Sequence, residues 1–363
     1  MYTYGGGAGG GAVYGGGAGG GAGGGAGGGA GGGAGGGAGL NVIAAVDALR
    51  RSRDALAVPG DNSVYPPAAS QPDFPTADSN QAQDLANRIK HWDNWVLPYV
   101  LLPSLMAPLS YEVAANKTSV SLKLGVNKAL TLHRPDLAQF KAELPNAIAD
   151  AELREDRASE ILMQCSDTWS FFATILPIRV DKTPFTWKLM VAAQELAMHV
   201  EMRFKHEFAC ARPNEYSAQV QPMIPTPQHS AYPMGHMCEA AVIARLLMAL
   251  TAPTAITAAS QSLNRQLEAL AKRIGENRIV AGVHFNVDLL AGKVLGEWLG
   301  DYFVAFCANA AGSALSRAHT EFLPSTGVAS AVVPAATAST SIADNAALKM
   351  IWEAARAEWA WLR

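Results

Sequence analysis

Cysteine is scarce and scattered. The 363 residues include four, Cys165, Cys210, Cys238 and Cys307, with no CxxC pair and no spacing that suits a metal. Packed free thiols are the reading that remains. A basic start followed by an apolar run is missing too, so no secretory leader is read. Arg50–Arg51 is followed too soon by Pro59, Gly60 and Asp61 for a twin-arginine signal. The compartment expected by default is the cytoplasm, with export by an unseen route left open. Long apolar stretches are few. The longest, Ala240–Ala259, contains Arg245 and Pro253, which suits a buried helix and no membrane span. Net charge is only −3, with Lys and Arg dispersed, which argues against a nucleic-acid footprint.

What is abundant is glycine, at one end. Residues 5–39 are almost wholly Gly and Ala in a GGGA repeat, with Tyr2, Tyr4 and Tyr14 nearby. Such a tract buries little apolar surface and loses much backbone entropy on ordering, so residues 1–39 are read as a tail. Residues 40–325 are long enough for one large helical domain. Residues 326–363 read as a C-terminal extension with a short helix.

Helical spacing of apolar residues dominates the chain. It predicts helices over Leu40–Ala57, Ala82–Leu97 (stopped by Pro98 and Pro103), Thr183–Ala211 from Pro184, Gly235–Leu250, Gln261–Ile274, Arg278–Ala308 and Asn345–Trp361. Pro135–Leu176 reads as two helices broken near Pro145, and residues 58–78 as a linker. Thr118–Leu132 is the best strand candidate, short and isolated. The expected class is therefore all-α, a helical bundle. Apolar helices bearing Trp92 and Trp95 at one end and Trp352, Trp359 and Trp361 at the other predict a homo-oligomer. The Gly/Ala tail, able to pack backbone to backbone, offers a second route to one.

Three blocks carry chemistry. Lys205 and Arg212-Pro213 lie seven apart at the end of a predicted helix, close to two turns, so both cations can share a face. Tyr232-Pro233-Met234-Gly235-His236 is a turn opening a helix, whose free N–H groups and positive dipole end form an anion seat. Arg278, His284 and Asp288 follow, and the i,i+4 carboxylate can orient the His284 imidazole. Singly, each block reads equally well as a solvated face, a helix cap or a packed ring. Together they supply three cations, a glycine amide and two histidines, a kit for a tetrahedral oxyanion.

In order and spacing the blocks resemble the pattern K-x6-RP … PSGH … SR-x5-H-x3-D of the vanadium-dependent haloperoxidases and type 2 phosphatidic acid phosphatases, over roughly residues 183–300. The flanks Thr226-Pro227 … Tyr232-Pro233 and Ala281-Gly282-Val283-His284-Phe285 are similar to the haloperoxidase branch. The resemblance implies a helical bundle in which Lys205, Arg212, Gly235 and Arg278 bind equatorial oxygens of vanadate. It makes His284 the apical vanadium ligand, or the phosphorylated nucleophile of a phosphatase. His236 becomes the acid–base residue and Asp288 the partner of His284. Met234 stands where the family has Ser, and Asn277 where it has the Ser before the second Arg. His229, seven before His236, and Met202, three before Lys205, tilt the resemblance toward bromide or iodide over chloride.

The leading expectation is a vanadate-dependent haloperoxidase using hydrogen peroxide, a halide and a small organic substrate. The alternatives are an acid phosphatase or phosphotransferase working through phosphohistidine, and an assembly protein whose site has drifted.

Overall fold

The computed structural model describes residues 96–308, 314–325, 328–331, 338–341 and 346–363, together with Ile89, Trp92 and Asp93. The chain divides into two units, and all that follows concerns the unit that runs from Asn94 to Arg363. The Gly/Ala tail, the helix expected over Leu40–Ala57 and the linker at 58–78 lie outside the described residues.

Long helices make the body: α1 (Val96–Met106), α2 (Leu137–Ala149), α3 (Arg154–Met163), α4 (Pro184–Phe208), α5 (Gly235–Thr251), α6 (Ala258–Val280), α7 (Asn286–Ala308) and α8 (Ala346–Glu358). α5 is the hub, buried along nearly its whole length against α4, α6 and α7. It packs closely on α7 because Gly292 and Gly296, one turn apart, face it. A Cβ at Gly292 would stand 2.4 Å from the Met234 carbonyl oxygen, and one at Gly296 2.3 Å from that of Cys238. Any side chain at either position would push the two helices apart. α8 closes over the start of α4. The Glu358 carboxylate accepts from Phe185 N at 2.8 Å and Thr186 N at 2.9 Å, satisfying first-turn amides that have no acceptor within the helix.

The all-α expectation is wrong. A mixed five-stranded sheet flanks the helices in the order β1 (Leu109–Val113), β2 (Ser119–Leu124), β3 (Asn127–His133), β5 (Thr320–Leu323), β6 (Val328–Ala331). A second, two-stranded sheet pairs β4 (Ala314–Arg317) with β7 (Ala338–Ser341). Thr118–Leu132, where a short hairpin was the most strand structure expected, does form a hairpin turning at Gly125, whose φ of 61° suits glycine, but that hairpin is only part of the larger sheet. β3 then pairs in parallel with β5, nearly two hundred residues on, with Leu132 opposite Phe322. Val120, Leu122 and Leu124 are buried on one face, while on the other Ser121 bonds Thr131 at 2.8 Å. The strands from 314 onward are four residues each and mostly small and polar, so their pattern is too short to announce itself.

Three prolines do not stop helices as expected. Pro98 sits in the first turn of α1, where its missing N–H costs nothing. Pro103 lies inside the same helix, and Pro145 inside α2, on its exposed side where water can serve the freed carbonyl. Trp352 and Trp359 do not form an open apolar face. Both are buried within their own chain, and Trp359 Nε1 donates to Thr186 Oγ1 at 2.8 Å. Their share of the argument for a homo-oligomer lapses, although Trp361 is exposed.

Candidate functional site

The polar residues of the three blocks lie at one end of α4, α5, α6 and α7. Lys205 is in the last turn of α4 and points its ammonium at the carbonyls of Ser230 (3.3 Å) and Pro233. Arg212 does not continue that helix, contrary to the two-turn argument. α4 ends at Phe208, and Ala209 takes a left-handed φ of 48°. Pro213 then holds Arg212 extended, since a residue before proline is kept out of the α region. Arg212 reaches the site from this loop, donating through Nη1 to Val283 O at 2.8 Å and to His284 Nε2 at 2.8 Å. Its Nη2 meets His229 Nδ1 at 3.2 Å, which puts His229 beside the cluster. Met202, 36% exposed, faces solvent and does not line it.

α6 and α7 are two helices, where one had been expected from Arg278 on. Gly282, at φ 82°, ends α6: its N–H bonds Ile279 O at 2.8 Å, and Val283 N bonds Arg278 O at 3.2 Å. This is a glycine-terminated Schellman turn. Arg154 clamps it from α3, donating to Val280 O at 2.8 Å and Val220 O at 2.9 Å. His284 therefore sits in the link between helices, not on a helix face. Asp288, in the first turn of α7, accepts from Phe285 N at 2.9 Å and from His284 Nδ1 at 3.1 Å. One carboxylate oxygen thus caps a helix and orients a catalytic-type imidazole. With Nδ1 as the donor, Nε2 keeps its lone pair and accepts from Arg212.

Met234 is the N-cap of α5 and offers no side-chain cap, while its N–H is spent on Asp288 O at 2.9 Å. Gly235 and His236 open the helix, so their amides have no acceptor within it. The His236 ring meets Gln164 O at 3.0 Å through Nε2. Arg278 donates to Ile161 O at 2.8 Å and lies against Cys165 Sγ at 3.4 Å. Asn277 is not a cap. It is a buried bridge from α6 to Glu160 and Gln164, both at 2.9 Å.

Burial sets the protonation. Lys205, Arg212, Arg278, His284 and Asp288 are each at most 4% exposed. Burial lowers the Lys205 ammonium to about 8 and the Arg212 guanidinium to about 10. It also pulls His284 well below 6.5, assisted by the nearby Arg212 and Lys205 charges, so its imidazole is neutral near pH 7. His236 is lowered by burial and by Arg278. Burial raises Asp288 to about 7 against the pull of the Phe285 amide and Arg212.

One residue escaped the sequence reading. Glu201, one turn before Lys205 on α4, is 0% exposed, and neither carboxylate oxygen has a hydrogen-bond partner. A Cβ built on Gly235 would stand 2.5 Å from Glu201 Oε1, so the carboxylate rests against the glycine that opens α5. The i,i+4 spacing to Lys205 was the signal that could have found it.

No family model matches the chain, and no curated protein does. Among described residues no His, Cys, Asp and Glu cluster is arranged to hold a metal ion directly, and no helix is long and apolar enough to cross a membrane. Among solved structures the chain is similar to the first transmembrane PAP2-type phosphatidylglycerolphosphate phosphatase from Bacillus subtilis. Identity is 20% over 47% of this chain and 87% of that one, with a TM-score of 0.38.

Proposed function

We propose that the chain binds a tetrahedral oxyanion and transfers a phosphoryl group through His284. The observation that carries this reading is the His284 couple: Nδ1 held by Asp288, and Nε2 unprotonated, its lone pair accepting from an Arg212 guanidinium that a bound oxyanion would draw to itself. A neutral, oriented imidazole is what a nitrogen nucleophile requires. Lys205, Arg212, Arg278 and the Gly235 amide would hold the equatorial oxygens and draw off developing charge. His284 Nε2 attacks phosphorus, the bond to the leaving oxygen breaks, and His236 gives that oxygen a proton. Water then attacks the phosphohistidine while His236 takes the proton back. A bound phosphate dianion would favour the protonated His236 that the first step requires.

A second reading, haloperoxidase, is favoured by one observation, the seat of His229 against Arg212. The same donor set fits vanadate, with Lys205, Arg212, Gly235 and Arg278 on its oxygens and His284 as its nitrogen ligand. Bound vanadate would supply activation of hydrogen peroxide toward bromide or iodide. Two assays on the full chain separate the readings. Release of phosphate from a chromogenic phosphomonoester, lost in His284→Ala, supports phosphoryl transfer. Bromide oxidation after vanadate loading, with no phosphomonoester turnover, would replace it with the haloperoxidase. Neither activity, with vanadate and phosphate bound no better than by His284→Ala, would move the chain to the assembly-protein reading.

A further inference from the structure

The oxyanion site contains a carboxyl that the reading above leaves unused. Glu201 is wholly buried, its oxygens accept from no cation of the site, and it lies where a Gly235 Cβ would be, beside the amide proposed above to hold an oxyanion oxygen. A carboxylate there repels an incoming anion, whereas a carboxylic acid is a strong donor to one. The position is next to Met234, where the thioether can donate nothing.

The charges decide which form a bound oxyanion selects. Lys205 on the same helix and Arg212 from the following loop face Glu201, with the weak Cys238 donor opposite on α5. Glu239 lies on the other side of that thiol, and Asp288 on α7 acts on the same Lys205. The charged groups of α8 meet α4 at its far end, through Glu358. α1 carries only the exposed Tyr99. Lys205, Arg212 and Arg278 thus share the interior of the site with the carboxyls of Glu201 and Asp288, and Glu239 lies beyond the Cys238 thiol. Adding a dianion brings an excess of buried negative charge, which protons on His236 and on one carboxylate relieve. Two donors on one oxygen favour the ionised form of Asp288, whereas Glu201 has only the weak Cys238 thiol opposite it, so the proton goes to Glu201.

We infer that Glu201 is the internal counter-ion of Lys205 and Arg212 and becomes, on oxyanion binding, a protonated donor that takes the place of the hydroxyl missing at Met234. Each oxyanion bound therefore brings a proton to Glu201. The inference rests on the oxyanion reading of the site. Burial already raises Glu201 to about 7. Oxyanion affinity is accordingly full below that value and falls about tenfold per unit as pH rises above it.

Sulfate is the probe, because it stays dianionic across this range and adds no titration of its own. The infrared difference spectrum of the full chain, sulfate-bound minus sulfate-free, is recorded at about pH 8. A new protonated-carboxyl C=O band is expected in wild type, absent in Glu201→Gln and retained in Asp288→Asn. Calorimetry gives the second arm. Glu201→Gln, a neutral donor at every pH, should bind sulfate about tenfold more tightly than wild type at about pH 8 and equally at about pH 6. Sulfate binding with no such band, or with a band that survives in Glu201→Gln, overturns the role of Glu201 alone. So does equal affinity of the two proteins at both pH values. Sulfate bound by neither protein at any pH overturns the oxyanion reading and Glu201's role with it.

Discussion

Two glutamates, Glu160 and Glu201, show what separates a structural polar cluster from a chemical one. Glu160, on α3, accepts from Arg273 through Nε and Nη2 at 2.9 Å each and from Asn277 Nδ2 at 2.9 Å. Its hydrogen bonds to Arg273 lower its carboxyl to about 2. Glu201, on α4, has no partner, and burial raises it to about 7. The first joins α3 to α6, and the second lies between α4 and the start of α5. In the first every acceptor is spent on the fold. In the second the cations donate to backbone carbonyls and to His284, and the Glu201 carboxyl among them accepts from none of them. An unsatisfied buried group costs about 1–3 kcal/mol, and a buried charge more, so such a cluster persists where something offsets that cost.

The comparison can be broken at the chemical end first. His284→Ala removes the nucleophile and should abolish phosphomonoester turnover, a loss of at least about a thousandfold, while thermal stability changes little. Stability falling with activity would mean that His284 is a fold residue after all. Gly235→Ala comes next. Its methyl would stand 2.5 Å from Glu201 Oε1, so the carboxylate must shift and the seat for the oxyanion closes. About a hundredfold loss of phosphate affinity is expected by calorimetry, with helix content by circular dichroism unchanged.

The structural end predicts the opposite pattern. Because Glu160 is held at about 2 in the fold and has 4.5 as its ordinary value, its contribution is present above 4.5 and lost as pH falls through about 2. Its side chain is 31% exposed and Arg273 39%, so the contribution is only about 1 kcal/mol after screening. Glu160→Gln should lower the urea midpoint at neutral pH, leave it nearly unchanged near pH 2, and leave sulfate affinity within about twofold throughout. Smallest is Met234→Ser, which adds a neutral hydroxyl at the N-cap of α5. It should tighten vanadate or phosphate binding by up to about tenfold, the 1.4 kcal/mol of one restored hydrogen bond. If Glu201 already fills that position, the gain should shrink in wild type and grow in a Glu201→Ala background.

Gly235 opening α5 was legible in the chain because it is a local backbone requirement written into a single residue. Pro213, which holds Arg212 extended, is equally local, yet it was passed over in favour of a continuous helix. The helix periods of α4, α5 and α7 were equally local. What stayed hidden depends on distant pairing. β3 finds β5 across nearly two hundred residues, and nothing within Thr320–Leu323 marks it as the neighbour of Leu130–Leu132. Glu201 was passed over for a related reason: a glutamate four before a lysine reads as a solvated helix pair until burial is known. The break between α6 and α7 was overlooked because Gly282 was absorbed into a run whose periodicity continues on both sides.

The claim that His284 attacks phosphorus is tested most directly by trapping the intermediate. The full chain is mixed with a phosphomonoester, quenched in alkali, where phosphohistidine survives, digested and analysed by mass spectrometry. The account predicts an acid-labile phosphoryl group on the peptide containing His284, absent from His284→Ala. Turnover of the ester with no phosphopeptide, or with the phosphoryl group on another residue, would contradict it.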